Sequence, residues 1–124
     1  MAEKDRIGKQ LRVVEKTGAY TVVPAVDSGT VFIGNHASTQ VAFTVPVGQA
    51  GDYYYFLSKG AAGIKVASSP ADKLVFVNDA AGDSVALSTA DQMVGGGFMV
   101  FSDGSLLYAT TLGNCGSMTV TTAT

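Results

Sequence analysis

The sequence predicts an all-β domain, an antiparallel β-sandwich or barrel-like fold with little helix. From Gly18 onward, short runs rich in valine, phenylalanine, tyrosine and threonine each end on glycine, asparagine, aspartate, serine or proline. This alternation is typical of strands joined by tight turns. Ten such runs fall within about a hundred residues, a density typical of sandwiches and barrels. The predicted strands are residues 20–23, 30–33, 40–45, 53–57, 64–67, 74–77, 84–87, 98–101, 106–110 and 118–122.

Hydrophobic alternation identifies a core-facing side in the strand at 40–45. Val41, Phe43 and Val45 fall on one face, and Ala42 and Thr44 fall on the other. Successive side chains of a strand point to opposite faces, so one face of this strand is predicted to lie in the core.

The run at 53–57 does not alternate. Tyr53, Tyr54, Tyr55 and Phe56 are consecutive, so both faces of the strand are predicted to meet apolar or partly apolar surroundings. A second sheet or a second subunit would provide that cover. We assign these four residues to an oligomer interface or, alternatively, to an aromatic platform that stacks on sugar rings.

Turn chemistry marks the connections between strands. Glycine and aspartate predict turns at 27–29, 79–83 and 102–105, and the last of these is expected to join two strands in a hairpin. The best helical candidate, residues 88–94, is at most two turns long. The threonine-rich end of the chain is predicted to be a final edge strand, and no internal repeat is visible.

Composition indicates an assembling protein. The 124 residues suffice for one domain, and 47% are hydrophobic while 15% are charged, against about 25% charged in ordinary globular domains. So few charges predict that other copies cover part of the apolar surface. There is no apolar run of about 20 residues and no secretory signal, so we expect a protein made in the cytosol that does not enter a membrane.

Residues 1–16 differ in character from residues 17–124. The first segment has five basic and three acidic residues, a net charge of +2, whereas the remainder has three lysines and seven aspartates, a net charge of −4. The segment contains too few large apolar residues for a core, so it is predicted to be an extended arm that binds a partner or, alternatively, a frayed terminus or one short helix. Its expected partner-binding residues are Lys4, Arg6, Ile7, Lys9, Leu11, Arg12, Val13 and Val14.

Residues able to carry out catalysis are scarce. His36 is the only histidine, glutamate occurs only at positions 3 and 15, and the single cysteine, Cys115, has no basic neighbour in sequence. The aspartates lack calcium-loop spacing, and the glycines match no phosphate-binding motif. We therefore predict no enzyme activity, no catalytic or metal-binding residue and no cofactor. The acidic body and the weakly basic arm argue against nucleic-acid binding.

Four segments resemble small β-rich domains of tailed-bacteriophage structural proteins, the head decoration proteins and the β-domains of head or tail fibres. The similarity covers residues 17 to 90 and rests on the sequences TGAYTV at 17–22, DSGTVF at 27–32, VAFTVP at 41–46 and YYYF at 53–56. In the phage pattern a strand ending in proline precedes a glycine turn and an aromatic strand. The sequence departs from it at Val45, where leucine is common.

The resemblance implies a homotrimer on the virion surface, made in the host cytoplasm, with the arm attached to the particle. The function that follows is capsid decoration, in which the chain binds the major capsid protein or another virion protein and stabilises the shell. The alternative is a fibre-tip or adhesin domain whose exposed tyrosines bind a host-surface glycan.

Overall fold

The computed structural model describes residues 11–88, 93–112 and 120–123, which form twelve strands and one short helix, α1 (Pro24–Asp27). This architecture confirms the predicted all-β, sandwich-like class. The strands are β1 (Arg12–Lys16), β2 (Tyr20–Thr21), β3 (Thr30–Gly34), β4 (Val41–Pro46), β5 (Tyr53–Ser58), β6 (Ile64–Ser69), β7 (Leu74–Phe76), β8 (Asp79–Gly82), β9 (Ser84–Leu87), β10 (Gly97–Ser102), β11 (Leu107–Thr111) and β12 (Val120–Ala123).

The strands form two mixed sheets. The first has seven strands in the order β1-β3-β5-β10-β11-β7-β8, and the second has five in the order β12-β9-β6-β4-β2. Five of the ten strand pairs among the described residues are parallel, which corrects the expectation of antiparallel pairing throughout. The threonine-rich end forms β12 at an edge of the second sheet, as predicted.

Four of the five parallel pairs arise because the chain alternates between the sheets from β1 to β6, and the fifth joins β11 to β7 within the first sheet. Each turn of the chain adds one strand to the first sheet and one to the second, so β1, β3 and β5 run parallel, as do β2, β4 and β6. Tyr20 pairs with Phe43, and Phe43 pairs with Val66. The path of the chain through the two sheets is therefore repeated three times, although the sequence shows no repeat.

Phenylalanines from both sheets fill the centre of the core. Phe32 and Phe56 project from the first sheet, and Phe43 projects from the second; all three are fully buried. The ring of Phe43 lies 5.6 Å from that of Phe32 and 4.9 Å from that of Phe56, distances typical of favourable aromatic contacts. The predicted inward face of β4, with Val41, Phe43 and Val45, is confirmed.

The structure contains a strand at each of the ten predicted positions, and it contains two further strands, β1 and β8. The reversal between β7 and β8 is at Val77 and Asn78, which have φ angles of 27° and 62°, so the turn predicted at 79–83 is wrong in position. Antiparallel pairing with β7 makes residues 79–82 a strand. The hairpin between β10 and β11 is confirmed. Most of the helix predicted at 88–94 lies outside the described residues.

The N-terminal segment joins the body earlier than residue 17. Residues 12–16 pair in parallel with β3 along five positions and form one edge of the first sheet. The predicted arm therefore ends before Arg12, because main-chain pairing with β3 orders its last five residues without any partner. Residues 1–10 lie outside the described residues.

Candidate interaction surface

The outward side of the first sheet is an uncharged, aromatic-rich surface, which we call the outer aromatic face. Strand register places its side chains in rows across β1, β3, β5, β10, β11 and β7, because paired residues project to the same side. One row is Val13, Val31, Tyr55, Met99 and Thr110. The second row is Tyr53, Phe101, Tyr108 and Val75. The third row runs from Glu15, at a charged margin of the face, through Ile33 to Leu57.

The aromatic rings of this face pack against one another. Phe101 and Tyr108 are stacked, with centroids 5.2 Å apart and planes inclined by 16°, and Tyr53 meets Tyr55 edge to face at 6.0 Å. Phe101 is nevertheless 40% exposed and Tyr53 is 37% exposed. Rings that stack on each other cover part of each other's faces, which leaves less flat surface for a sugar ring than an isolated ring would offer.

Charged residues lie at the margins of the outer aromatic face. At one end Glu15 forms a 3.7 Å ion pair with Lys59, and both side chains are largely exposed. At the other end Asp103 accepts a 2.8 Å hydrogen bond from the Tyr108 hydroxyl. Hydrogen bonds from the Leu106 and Ser105 amides, together with the Tyr108 bond, hold the pKa of Asp103 below its ordinary value.

Only half of the predicted tyrosine-rich site reaches this surface. Tyr53 and Tyr55 project outward, whereas Tyr54 and Phe56 are fully buried between the sheets. The run at 53–57 thus has one core face and one outer face, and its aromatic residues serve both. Tyr54 and Phe56 are therefore excluded from any surface site.

Residues 11–14, near the C-terminal end of the predicted arm, are partly buried and partly exposed. Val14 packs against the core, and Arg12 forms an ion pair with Asp27 while its side chain remains 37% exposed. Leu11 and Val13 are each 58% exposed. The other predicted arm residues, Lys4, Arg6, Ile7 and Lys9, lie outside the described residues.

The buried carboxylate of Asp27, the last residue of α1, links β1 to the segment that precedes β3. Asp27 is 1% exposed and accepts hydrogen bonds from Arg12 Nη1 at 2.9 Å, the Tyr20 hydroxyl at 2.6 Å and the Val23 amide at 2.9 Å. At the other end of β1, the Lys16 ammonium lies 4.0 Å from the centre of the Tyr20 ring. Both ends of β1 are thus fastened to the body.

The titration properties of this cluster follow from its contacts. Burial alone would raise the pKa of Asp27, but hydrogen bonds from Tyr20 and Val23 and the hydrogen bond and charge of Arg12 together hold it below its ordinary value. The hydrogen bond that the Tyr20 hydroxyl donates to Asp27, together with burial and the Asp27 charge, raises the pKa of Tyr20. The sequence predicted only a turn at Asp27, because nothing local marks a residue as the acceptor of a distant arginine.

The hydroxyl of Tyr54 is buried between the sheets without a hydrogen-bond partner among the described residues. Burial, reinforced by the negative charges of Asp52 and Asp27, raises the pKa of Tyr54 to about 12. A neutral phenol is therefore held in the core.

His36 has a structural role in its loop. Its Nδ1 accepts hydrogen bonds from the amides of Ser38 at 3.1 Å and Thr39 at 2.9 Å, which shapes the turn before β4. Across the part of the chain that the structure describes, no three histidine, cysteine or acidic side chains come together as a metal site. No helix within the described ranges is long and apolar enough to cross a membrane. Cys115 lies outside these ranges.

Fold and surface together define a two-sheet β-sandwich domain with an uncharged aromatic outer face. Comparison with known proteins adds no family to this description. No protein-family model matches the chain, and no curated protein matches it in sequence.

Proposed function

We propose that the chain is a non-enzymatic structural protein of a virus particle, a decoration protein that binds the outer surface of a tailed-bacteriophage head through its N-terminal arm. The observation that carries the proposal is the fastening of β1. An attachment segment stabilises a particle only if its binding is transmitted to the folded body. Here Arg12 is bonded to the buried Asp27, while the neighbouring Leu11 and Val13 remain exposed.

Charge and apolar contact would act together in attachment. Lys4, Arg6 and Lys9 give the arm its basic character and would steer it to an acidic surface of the major capsid protein. Ile7, with the exposed Leu11, would then pack against apolar groups on the shell. A protein that binds neighbouring capsid subunits, and binds only the assembled shell, shifts the equilibrium toward assembly by mass action.

The test is binding of the purified chain to phage heads prepared without it, followed by co-sedimentation. Removal of residues 1–10 leaves β1 intact, so we expect a folded protein that no longer sediments with heads. The triple variant Lys4→Gln, Arg6→Gln and Lys9→Gln isolates the charge contribution. It should weaken binding at low salt and much less at high salt, because salt screens exposed charges.

A control variant keeps the arm and changes a lysine on the second sheet. Lys65→Gln removes a lysine from β6 of the second sheet. Every second residue of β6 is buried in the core, and Lys65 lies between two of these buried residues. This variant should sediment with heads as the unmodified chain does. Undiminished binding after removal of residues 1–10 would refute attachment through the arm.

A further inference from the structure

We propose that the outer aromatic face is the contact surface between copies of this chain, so that the same face of another copy covers it. This proposal concerns self-association and holds whether or not the arm binds phage heads. It replaces the predicted four-residue interface by a surface that spans several strands and excludes Tyr54 and Phe56.

The charge distribution favours a second copy over a different partner. Among the described residues, every side chain in the row from Val13 through Val31, Tyr55 and Met99 to Thr110 is uncharged. A symmetric contact between copies brings only the residues near the symmetry axis against their own counterparts, so an uncharged centre lets the copies meet without repulsion between like charges. Interfaces between identical subunits are also the more apolar class.

The size of the face fits a small stable interface. Strands lie about 4.8 Å apart and rise about 3.3 Å per residue, so five strands of five residues cover roughly 400 Å² in projection. Protruding side chains such as Tyr53 and Phe101 make the accessible area larger than the projection. Stable interfaces bury about 600 Å² or more per partner, and the projection alone supplies about two-thirds of that area before the relief of the side chains is counted.

The exposed aromatic residues supply the expected energetic centre. Tyrosine and phenylalanine contribute large contact areas with few rotatable bonds, and tyrosine is enriched at the centres of interfaces. Tyr55 occupies the middle of its row, between Val31 on β3 and Met99 on β10. The charged margins are the Glu15–Lys59 pair at one end and Asp103 at the other. Both would lie at the rim of the interface, where charges remain hydrated.

The test is a concentration series of the full-length chain by sedimentation equilibrium and by size-exclusion chromatography with light scattering. The unmodified chain should form assemblies of two or three copies. Tyr55→Lys places a charge at the centre of the face and should weaken self-association at least about tenfold. Thr44→Lys places the same charge on the outward side of β4 in the other sheet, and should leave the assembly intact.

A second variant keeps the test decisive if Tyr55→Lys does not fold. Phe101→Gln removes an exposed ring near the end of β10 and should also weaken the assembly, with circular dichroism showing an unchanged fold. A monomer at all concentrations, or an assembly that survives both substitutions, would overturn the proposal.

Two outcomes would assign the face to another occupant and so overturn the proposal. Assembly that appears only after removal of residues 1–10 would show that the chain's own arm covers the face. A monomer that binds a glycan array, and loses that binding in Tyr55→Lys, would assign the face to sugar. Failure of arm attachment is distinguishable from both, because the chain without residues 1–10 would then assemble normally and still bind heads.

Discussion

The Tyr20 hydroxyl donates a 2.6 Å hydrogen bond to Oδ2 of Asp27, which also accepts from the Val23 amide, while Oδ1 accepts from Arg12. Both oxygens of a carboxylate that is almost wholly buried are therefore satisfied. A buried charge is tolerated only under this condition, since a single missing partner leaves it uncompensated.

Replacement of Asp27 by asparagine should destabilise the fold by about 2–3 kcal/mol. An amide has one accepting oxygen in place of two, so its nitrogen would face a donor, and the ion pair with Arg12 would be lost. Urea unfolding measures the change. Asp72→Asn is the control, because Asp72 is exposed and asparagine tolerates its positive φ of 66°. Equal stability of the two variants would contradict the assigned role.

The contribution of Asp27 should depend on pH in a defined direction. Its pKa is lower in the folded protein than the ordinary value of 3.8, so its stabilisation is fully present above that value. The stabilisation is then lost as pH falls through the lower, folded-state pKa. The stability difference between the unmodified chain and Asp27→Asn should thus be constant above about pH 5 and shrink on acidification. A difference that persists undiminished in strong acid would count against this account.

Tyr54→Phe should stabilise the protein by about 1 kcal/mol, because it removes a buried hydroxyl that lacks a partner among the described residues. Tyr20→Phe should do the opposite, because its hydroxyl is bonded to Asp27. Thermal and urea unfolding of the two variants gives the comparison. In an alkaline absorbance titration, the tyrosine with a pKa of about 12 should be missing from Tyr54→Phe. A loss of stability in that variant would indicate that the hydroxyl is satisfied.

Val77→Asn should stabilise the turn between β7 and β8 by about 0.5–1 kcal/mol, since a β-branched residue is strained at positive φ whereas asparagine adopts that region readily. Val77 is 74% exposed, so little packing is lost. The control is Val94→Asn, which replaces another exposed valine with no positive φ. Unfolding midpoints of the two variants should differ, and equal midpoints would argue against strain at Val77.

Sequence reasoning succeeded where local chemistry decides the outcome. β-branched and aromatic runs marked the ten predicted strands, and Gly104, with a φ of 96°, marked the hairpin between β10 and β11. It missed β8, whose residues Asp-Ala-Ala-Gly have low strand propensity and become a strand only by pairing with β7. β1 was assigned to an arm because residues 1–16 contain too few large apolar residues for a core. Its order depends on β3 and on Asp27, which are distant in sequence.

The outer aromatic face could be predicted only in part. Consecutive tyrosines signalled an apolar environment on both sides of β5, but not which residue faces which side. Phe101 and Tyr108 join the face through pairing of β10 with β5 and β11, a property of strand order that the sequence does not display. Parallel pairing was missed for the same reason, because alternation of the chain between sheets has no local signature.

Parallel pairing of β1 with β3 also determines how the molecule bears mechanical load. The chain preceding Arg12 leaves from the start of β1, and the strand runs beside β3 over five paired positions. A pull on that segment along the strand axis loads the hydrogen bonds between β1 and β3 in shear, all at the same time, instead of opening them one after another. Such a pull is therefore resisted by all five paired positions of β1 together.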